Sequence, residues 1–156
     1  MKVLGIDPGT GIVGFGVIEV GKKTTLVDAG VIRTQKDQPV ADRLAEIYDE
    51  LSDVIIQNKP DAASVEKLFF AQNVTTGMTV SQARGVILLA LQQANIPIFE
   101  YTPLQIKMAT VGYGRASKQQ IQEMVRVQLN LKEIPKPDDC ADALAAALTH
   151  SATIVP

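Results

Sequence analysis

A chain of 156 residues has the length of one ordinary domain, 1–156, and leaves no room for two. With 46% apolar and 21% charged residues it is neither disordered nor fibrous, and a packed core is expected. The net charge of −2 argues against indiscriminate binding of polyanions. A single cysteine, Cys140, and a single histidine, His150, exclude an internal disulfide, a cysteine cluster and any zinc site needing several histidines, so a bound metal would be held by oxygen.

The chain opens with Val3-Leu4-Gly5-Ile6, a buried strand that ends on Asp7 and runs into the turn Asp7-Pro8-Gly9-Thr10-Gly11. Residues Ile12 to Val20 and Thr24 to Thr34, rich in β-branched side chains and divided by Gly21-Lys22-Lys23, read as two further strands of an antiparallel meander. A first helix follows, with Val40, Leu44, Ile47, Leu51, Val54 and Ile55 at helical spacing between Pro39 and Pro60. Its acidic residues Asp42, Glu46, Asp49, Glu50 and Asp53 form a solvated outer face.

Ala62 to Val65 is a second buried strand that ends on a carboxylate, Glu66. A second helix spans about Thr76 to Ala94, Ile96 to Glu100 reads as another buried strand, and Thr102-Pro103 opens a short helix reaching Met108. After the Gly112-Tyr113-Gly114 loop, Ser117-Lys118-Gln119-Gln120 is a capping box whose helix turns Ile121, Met124 and Val125 inward. The last helix is expected from about Asp139 to His150, with His150 at its end against the dipole and Cys140 as a small buried hydrophobe. Three antiparallel strands followed by two parallel ones make a mixed sheet with helices on its faces, in which sites form beyond the carboxyl ends of the parallel strands. The longest nearly apolar run, Gly85 to Leu91, is too short to cross a bilayer, and Met1 to Gly5 lacks the apolar stretch of a signal peptide; a cytoplasmic protein with no membrane partner is expected.

Two features carry chemistry. Residues 101–136 hold six basic side chains against two acidic ones, so this segment is +4 and the remainder −6. Pro137 to Ala145 supplies Asp138, Asp139 and Asp142 at one helix start, where the pairs three and four apart share a face. Acidic first turns are favoured by the helix dipole alone. Asp142, however, lies toward the packed side that continues into Ala145 and Leu148, and a carboxylate there needs a partner. Carboxylates from strand one, strand four and the last helix can converge on divalent cations, and hard oxygen ligands suit magnesium or manganese.

The blocks Gly5-Ile6-Asp7-Pro8-Gly9-Thr10, Val65 to Asn73, Ser81-Gln82-Ala83-Arg84-Gly85 and Asp139 to Ala145, in this order and spacing, resemble the RuvC-type Holliday junction resolvases over essentially the whole chain. The resemblance implies an α/β, ribonuclease-H-like fold with a five-stranded mixed sheet and helices on both faces. It also implies a homodimer and Mg2+-dependent paired nicking of four-way junction DNA in recombination and repair, with two ions per site and Mn2+ as a substitute. Carried over by position, the catalytic and metal-binding carboxylates are Asp7, Glu66, Asp139 and Asp142, with Asp138 one residue out of register beside the third. The DNA-contacting residues are Phe69, Lys107 and Lys118, and a RuvA-RuvB branch-migration complex is an implied partner. Read from the residues alone, Lys107 and Lys118 belong to the +4 segment and can neutralise phosphates or be ordinary surface lysines. Phe69 and Phe70, neighbours in an extended segment, point opposite ways, so that one can be exposed to stack on a base while the other packs. The seam of the dimer is expected on the second helix, whose Met78, Val80, Val86, Ile87, Leu88, Leu89 and Leu91 spread too far around it for one sheet face to cover, with Leu88 among the exposed positions.

Other functions share parts of this pattern. Asp7 to Gly11 also resembles the phosphate-binding turn of actin-like and sugar-kinase-like ATPases, which close two such domains around nucleotide where this chain has one. A nuclease of the same fold acting on another structured nucleic acid, such as RNA, and a non-catalytic DNA-binding module are the remaining alternatives; four carboxylates beside a DNA face speak against the module.

Overall fold

The computed structural model describes residues 1–68 and 74–154. In chain order the elements are β1 (Lys2–Asp7), β2 (Ile12–Glu19), β3 (Thr25–Arg33), α1 (Val40–Asn58), β4 (Ala62–Glu66), α2 (Val74–Gln93), β5 (Ile98–Tyr101), α3 (Pro103–Val111), α4 (Lys118–Gln128) and α5 (Asp138–Ile154). They form one five-stranded sheet in the order β3-β2-β1-β4-β5. β1, β2 and β3 are an antiparallel meander, and β4 and β5 add to β1 in parallel. The mixed sheet expected from the sequence is the one observed.

Alternation along the strands splits the core in two. Leu4, Ile6, Val13, Val17, Ala63 and Val65 face α1 and α2, where Ile47, Leu51 and Ile55 of α1 and Ala83, Ile87 and Leu91 of α2 cover them. Val3 and Ile18 face the other way, toward α3, α4 and α5. Helices therefore cover both faces. α5 is the central helix of its layer: every residue from Cys140 to Ser151 is buried except Asp142. It can lie so near the strands because glycines face it. A Cβ on Gly5 would overlap the carbonyl oxygen of Ala143, and one on Gly14 would overlap that of Asp139. Ser64 of β4 donates to the carbonyl of Ala146 at 2.6 Å and ties the middle of the helix to the sheet.

Capping sets the remaining boundaries. Thr102 with Gln105, and Ser117 with Gln120, make reciprocal capping boxes at the starts of α3 and α4. Gly112 ends α3 in the left-handed region at φ 78°, its N–H bonded to Met108. Among the described residues no helix is long and apolar enough to cross a membrane.

Three expectations require correction. β5 begins two residues late and is not a buried strand: it is an edge of the sheet, so Phe99 and Glu100 remain exposed. His150 does not end its helix, which runs on to Ile154. It is 2% exposed, stacks on Phe99 with ring centroids 4.1 Å apart, and shares a 2.8 Å hydrogen bond between Nδ1 and the Tyr101 hydroxyl. Burial pushes its pKa down, toward the neutral ring. On α2, Leu88 packs against the core, and the exposed apolar side chains are Met78 and Leu89.

Candidate active site

β1 and β4 are neighbouring parallel strands with Ile6 opposite Val65, so Asp7 and Glu66 end side by side, one strand spacing of about 4.8 Å apart. Both project on the α5 side of the sheet. Asp7 is the register partner of Gly14, and the position of a Cβ on Gly14 lies 3.0 Å from that of Asp139. The first turn of α5 is thereby held above the end of β1, with Asp139 over Asp7 and Asp142 one turn further in. The first and fourth strands are thus neighbours, and Asp7, Glu66, Asp139 and Asp142 occupy one corner of the molecule.

The field in this corner is strongly negative. Burial, followed by Glu66, Asp142 and Asp139, pushes the Asp7 carboxyl from 3.8 to about 8. Glu66 is raised by its own burial and by Asp142, against the pull of Lys107 and Lys118. Asp142 is also raised by burial, partly offset by its hydrogen bond to Lys118. Asp138 differs from its neighbour: it is not among the groups that act on Asp7, and it faces Lys118, whose Nζ lies 3.6 Å from it and 3.2 Å from Asp142. For Lys118, burial lowers the pKa, but the bond and field of Asp142 outweigh it and the value rises.

Lys118 begins α4 and Lys107 lies on α3. Both border a cavity of about 220 Å³ together with Glu66 and Asp142, floored by Ile106 and Ala145. Phe69 lies outside the described residues. Cys140 is buried, as its sequence context suggested. Among the described residues no three His, Cys, Asp or Glu side chains close around a single point. The donor set nonetheless fits a hard divalent cation, because a buried carboxyl raised to about 8 by desolvation and by three neighbouring carboxylates is relieved by positive charge placed among them.

Residues 3–150 match the family described as Crossover junction endodeoxyribonuclease RuvC. The chain belongs to the RuvC family. It is 53% identical over 152 residues to the crossover junction endodeoxyribonuclease RuvC of Brevibacillus brevis, covering 97% of this chain and 92% of that one. The RuvC of Thermotoga petrophila is 55% identical with the same coverage. The structure of Thermus thermophilus RuvC in complex with a Holliday junction substrate superposes with a TM-score of 0.92 at 39% identity, covering 97% of this chain and 93% of that one. The ribonuclease-H-like architecture is thus that of the RuvC fold, and nucleases of the RuvC family are metal-dependent.

Two contacts that pin this RuvC corner in place were not legible in the sequence. Arg84 of α2 pairs with Glu100 of β5 on the face away from α5, and Tyr101, opposite Glu66 in the register, is anchored to His150. Arg84 and Glu100 are 16 positions apart and Tyr101 and His150 are 49, so only the assembled sheet brings them together.

Proposed function

We propose that this RuvC family member, acting as one domain over residues 1–156, resolves four-way DNA junctions by paired hydrolysis of phosphodiester bonds. The observation that carries the reading is the carboxylate corner itself: Asp7 is pushed to about 8 by burial and, beyond that, by Glu66, Asp142 and Asp139, the residues that the family pattern marks as catalytic. Asp7, Glu66, Asp139 and Asp142 would hold two magnesium ions, with manganese as a substitute. Such a pair of ions activates a water and stabilises the leaving oxygen of a phosphodiester. Asp139 is favoured over Asp138 as the third ligand, because Asp139 acts on Asp7 whereas Asp138 is drawn toward Lys118.

The chain's own residues divide the remaining work. Lys107 and Lys118 line the cavity beside Glu66 and Asp142 and place positive charge where a phosphate enters. Lys118 also opposes, through its hydrogen bond and charge, the burial that raises Asp142. Phe69, immediately beyond β4, stacks on an unpaired base to open the junction. A C2 dimer presents two equivalent corners to a substrate of two-fold symmetry, and Met78 and Leu89 on α2 supply apolar surface for the seam. The protein works on DNA in the cytoplasm, with a RuvA-RuvB complex as its branch-migration partner.

The deciding experiment incubates the protein in magnesium with synthetic four-way junctions, linear duplexes and RNA–DNA hybrids. Selective paired nicking of the junction is expected, and indifferent cleavage of all three would defeat the reading. Asp139→Asn abolishes nicking whereas Asp138→Asn preserves it, and the reverse would move the third ligand by one residue.

A further inference from the structure

A second group of cations borders the carboxylates on the flank opposite Lys107 and Lys118. β3 runs parallel to β1, so Arg33 at its end reaches the same edge of the sheet as Asp7. Arg33 is the register partner of Ile12 and shares the face on which Gly14 meets Asp139. An open cavity of about 490 Å³ lies there, bordered by Gly11, Arg33, Thr34, Lys36 and Glu46. Arg43 reaches toward it from α1: its Nε donates to Thr34 Oγ1 at 2.9 Å, and Thr34 Oγ1 in turn donates to the carbonyl of Thr10 at 2.6 Å. A terminal nitrogen of Arg43 comes within 3.8 Å of where a Cβ on Gly11 would sit, against the turn that leaves Asp7.

Among the described residues none of Arg33, Lys36 and Arg43 makes a salt bridge, although the chain as a whole is acidic. Glu46 is the single carboxylate in the lining, against Arg33 and Lys36, and Arg43 stands beside the cavity on the adjoining turn. A structural role accounts for the Nε of Arg43 and for nothing in Arg33 or Lys36, both of which are exposed. Uncompensated positive charge around an open cavity beside a negative corner is suited to a polyanion that approaches the corner and continues past it.

We propose that Arg33, Lys36 and Arg43 form a second phosphate-binding subsite on the β3 flank, so that a DNA strand is gripped on both sides of the bond to be cut. This rests on the nuclease reading above and extends its footprint. Two strand spacings of about 4.8 Å separate β3 from β1, which puts the subsite roughly 10 Å from Asp7, about one or two phosphates along a strand that leaves the site.

The test uses Arg33→Gln, Lys36→Gln and the double variant, because neither side chain anchors another part of the protein. Binding to a synthetic four-way junction is measured without divalent cation from about 50 to 200 mM salt. Each single variant is expected to flatten the slope of log K against log[salt] by about 0.7 to 0.9, and the double variant by nearly twice that. A junction carrying a neutral methylphosphonate at the first or second phosphate from the nick on that side weakens the wild type but adds no further loss to the double variant. Unchanged slopes in all three variants, with wild-type nicking intact, overturn the subsite and leave the nuclease reading standing. A wild-type protein that neither binds nor nicks junctions overturns both.

Discussion

Replacing Asp7 with asparagine should make the metal-free protein more stable while removing its activity. In the folded protein the Asp7 carboxyl is held at about 8, against an ordinary 3.8 in the unfolded chain. The folded state thus binds a proton that the unfolded state has released, and Asp7 erodes stability as pH rises through that window, by about 1.4 kcal/mol per pH unit. The loss is absent below 3.8, where both states are protonated, and complete above 8. At neutral pH it amounts to roughly 4 kcal/mol. Asparagine avoids the titration but buries an amide of its own, so a net gain of about 2 to 3 kcal/mol is expected, or roughly 5 to 10 °C in melting temperature for a chain of this size. The assay is thermal unfolding of both proteins in EDTA from pH 4 to 9, followed by a magnesium titration. The gap between them should open steadily from pH 4 to 8, and magnesium should raise the melting temperature of the wild type much more than that of the variant. A variant that melts at or below the wild type at pH 8 in EDTA, or one equally stabilised by magnesium, would refute the reasoning.

Lys118→Gln removes the cation 3.2 Å from Asp142, so the acid limb of the nicking profile should move to higher pH while stability changes by no more than about 1 kcal/mol, since Lys118 is half-exposed; an unmoved limb counts against its role. Gly14→Ala forces a methyl into the carbonyl of Asp139 and should cost about 1 to 3 kcal/mol, whereas Gly85→Ala, with nothing within 4 Å of the new methyl, should gain about 0.5 to 1 kcal/mol; melting curves in the opposite order would contradict the packing described. Leu89→Asp should leave the melting temperature nearly unchanged and convert dimers to monomers by light scattering, whereas Leu88→Asp should unfold the protein because that side chain packs on the core. A Leu89→Asp protein that stays dimeric would exclude α2 as the seam.

Much of the architecture was readable from local signals. The run Val3 to Ile6 ending on Asp7, the run Ala62 to Val65 ending on Glu66, the Thr102-Pro103 helix opening and the Ser117 to Gln120 capping box each determine an element by chemistry within a few residues. What could not be read depends on where an element sits among the others. The apolar Ile96-Pro97-Ile98-Phe99 stretch looks buried, and the one local sign against this is Pro97, which cannot donate to a ladder and so marks a strand start or an edge; β5 starts directly after it at the sheet edge, where Phe99 stacks on His150. The expected end of α5 at His150 failed because no glycine or proline stops the helix there, and it continues through Ser151 to Ile154. Leu88 and Leu89 differ by one step of about 100° around α2, which separates core from solvent and is finer than the apolar pattern of that helix resolves. Within the site, the carboxylate residues were legible as types and positions, whereas what sets Asp138 apart from Asp139 is its contact with Lys118, at the start of the preceding helix and 20 residues away in sequence.

α5 is the last element to be made, yet it forms the centre of one layer and carries two of the four carboxylates. During synthesis, β1 and β4 can assemble with Asp7 and Glu66 while the glycines that receive α5 are still uncovered. At about 5 to 20 residues per second, the roughly 70 residues between Glu66 and Asp139 take several seconds to appear. Throughout that interval the nascent chain has two of the four corner carboxylates and an unclosed hydrophobic layer, so it cannot count as folded. The arrival of one helix closes the layer and completes the corner together.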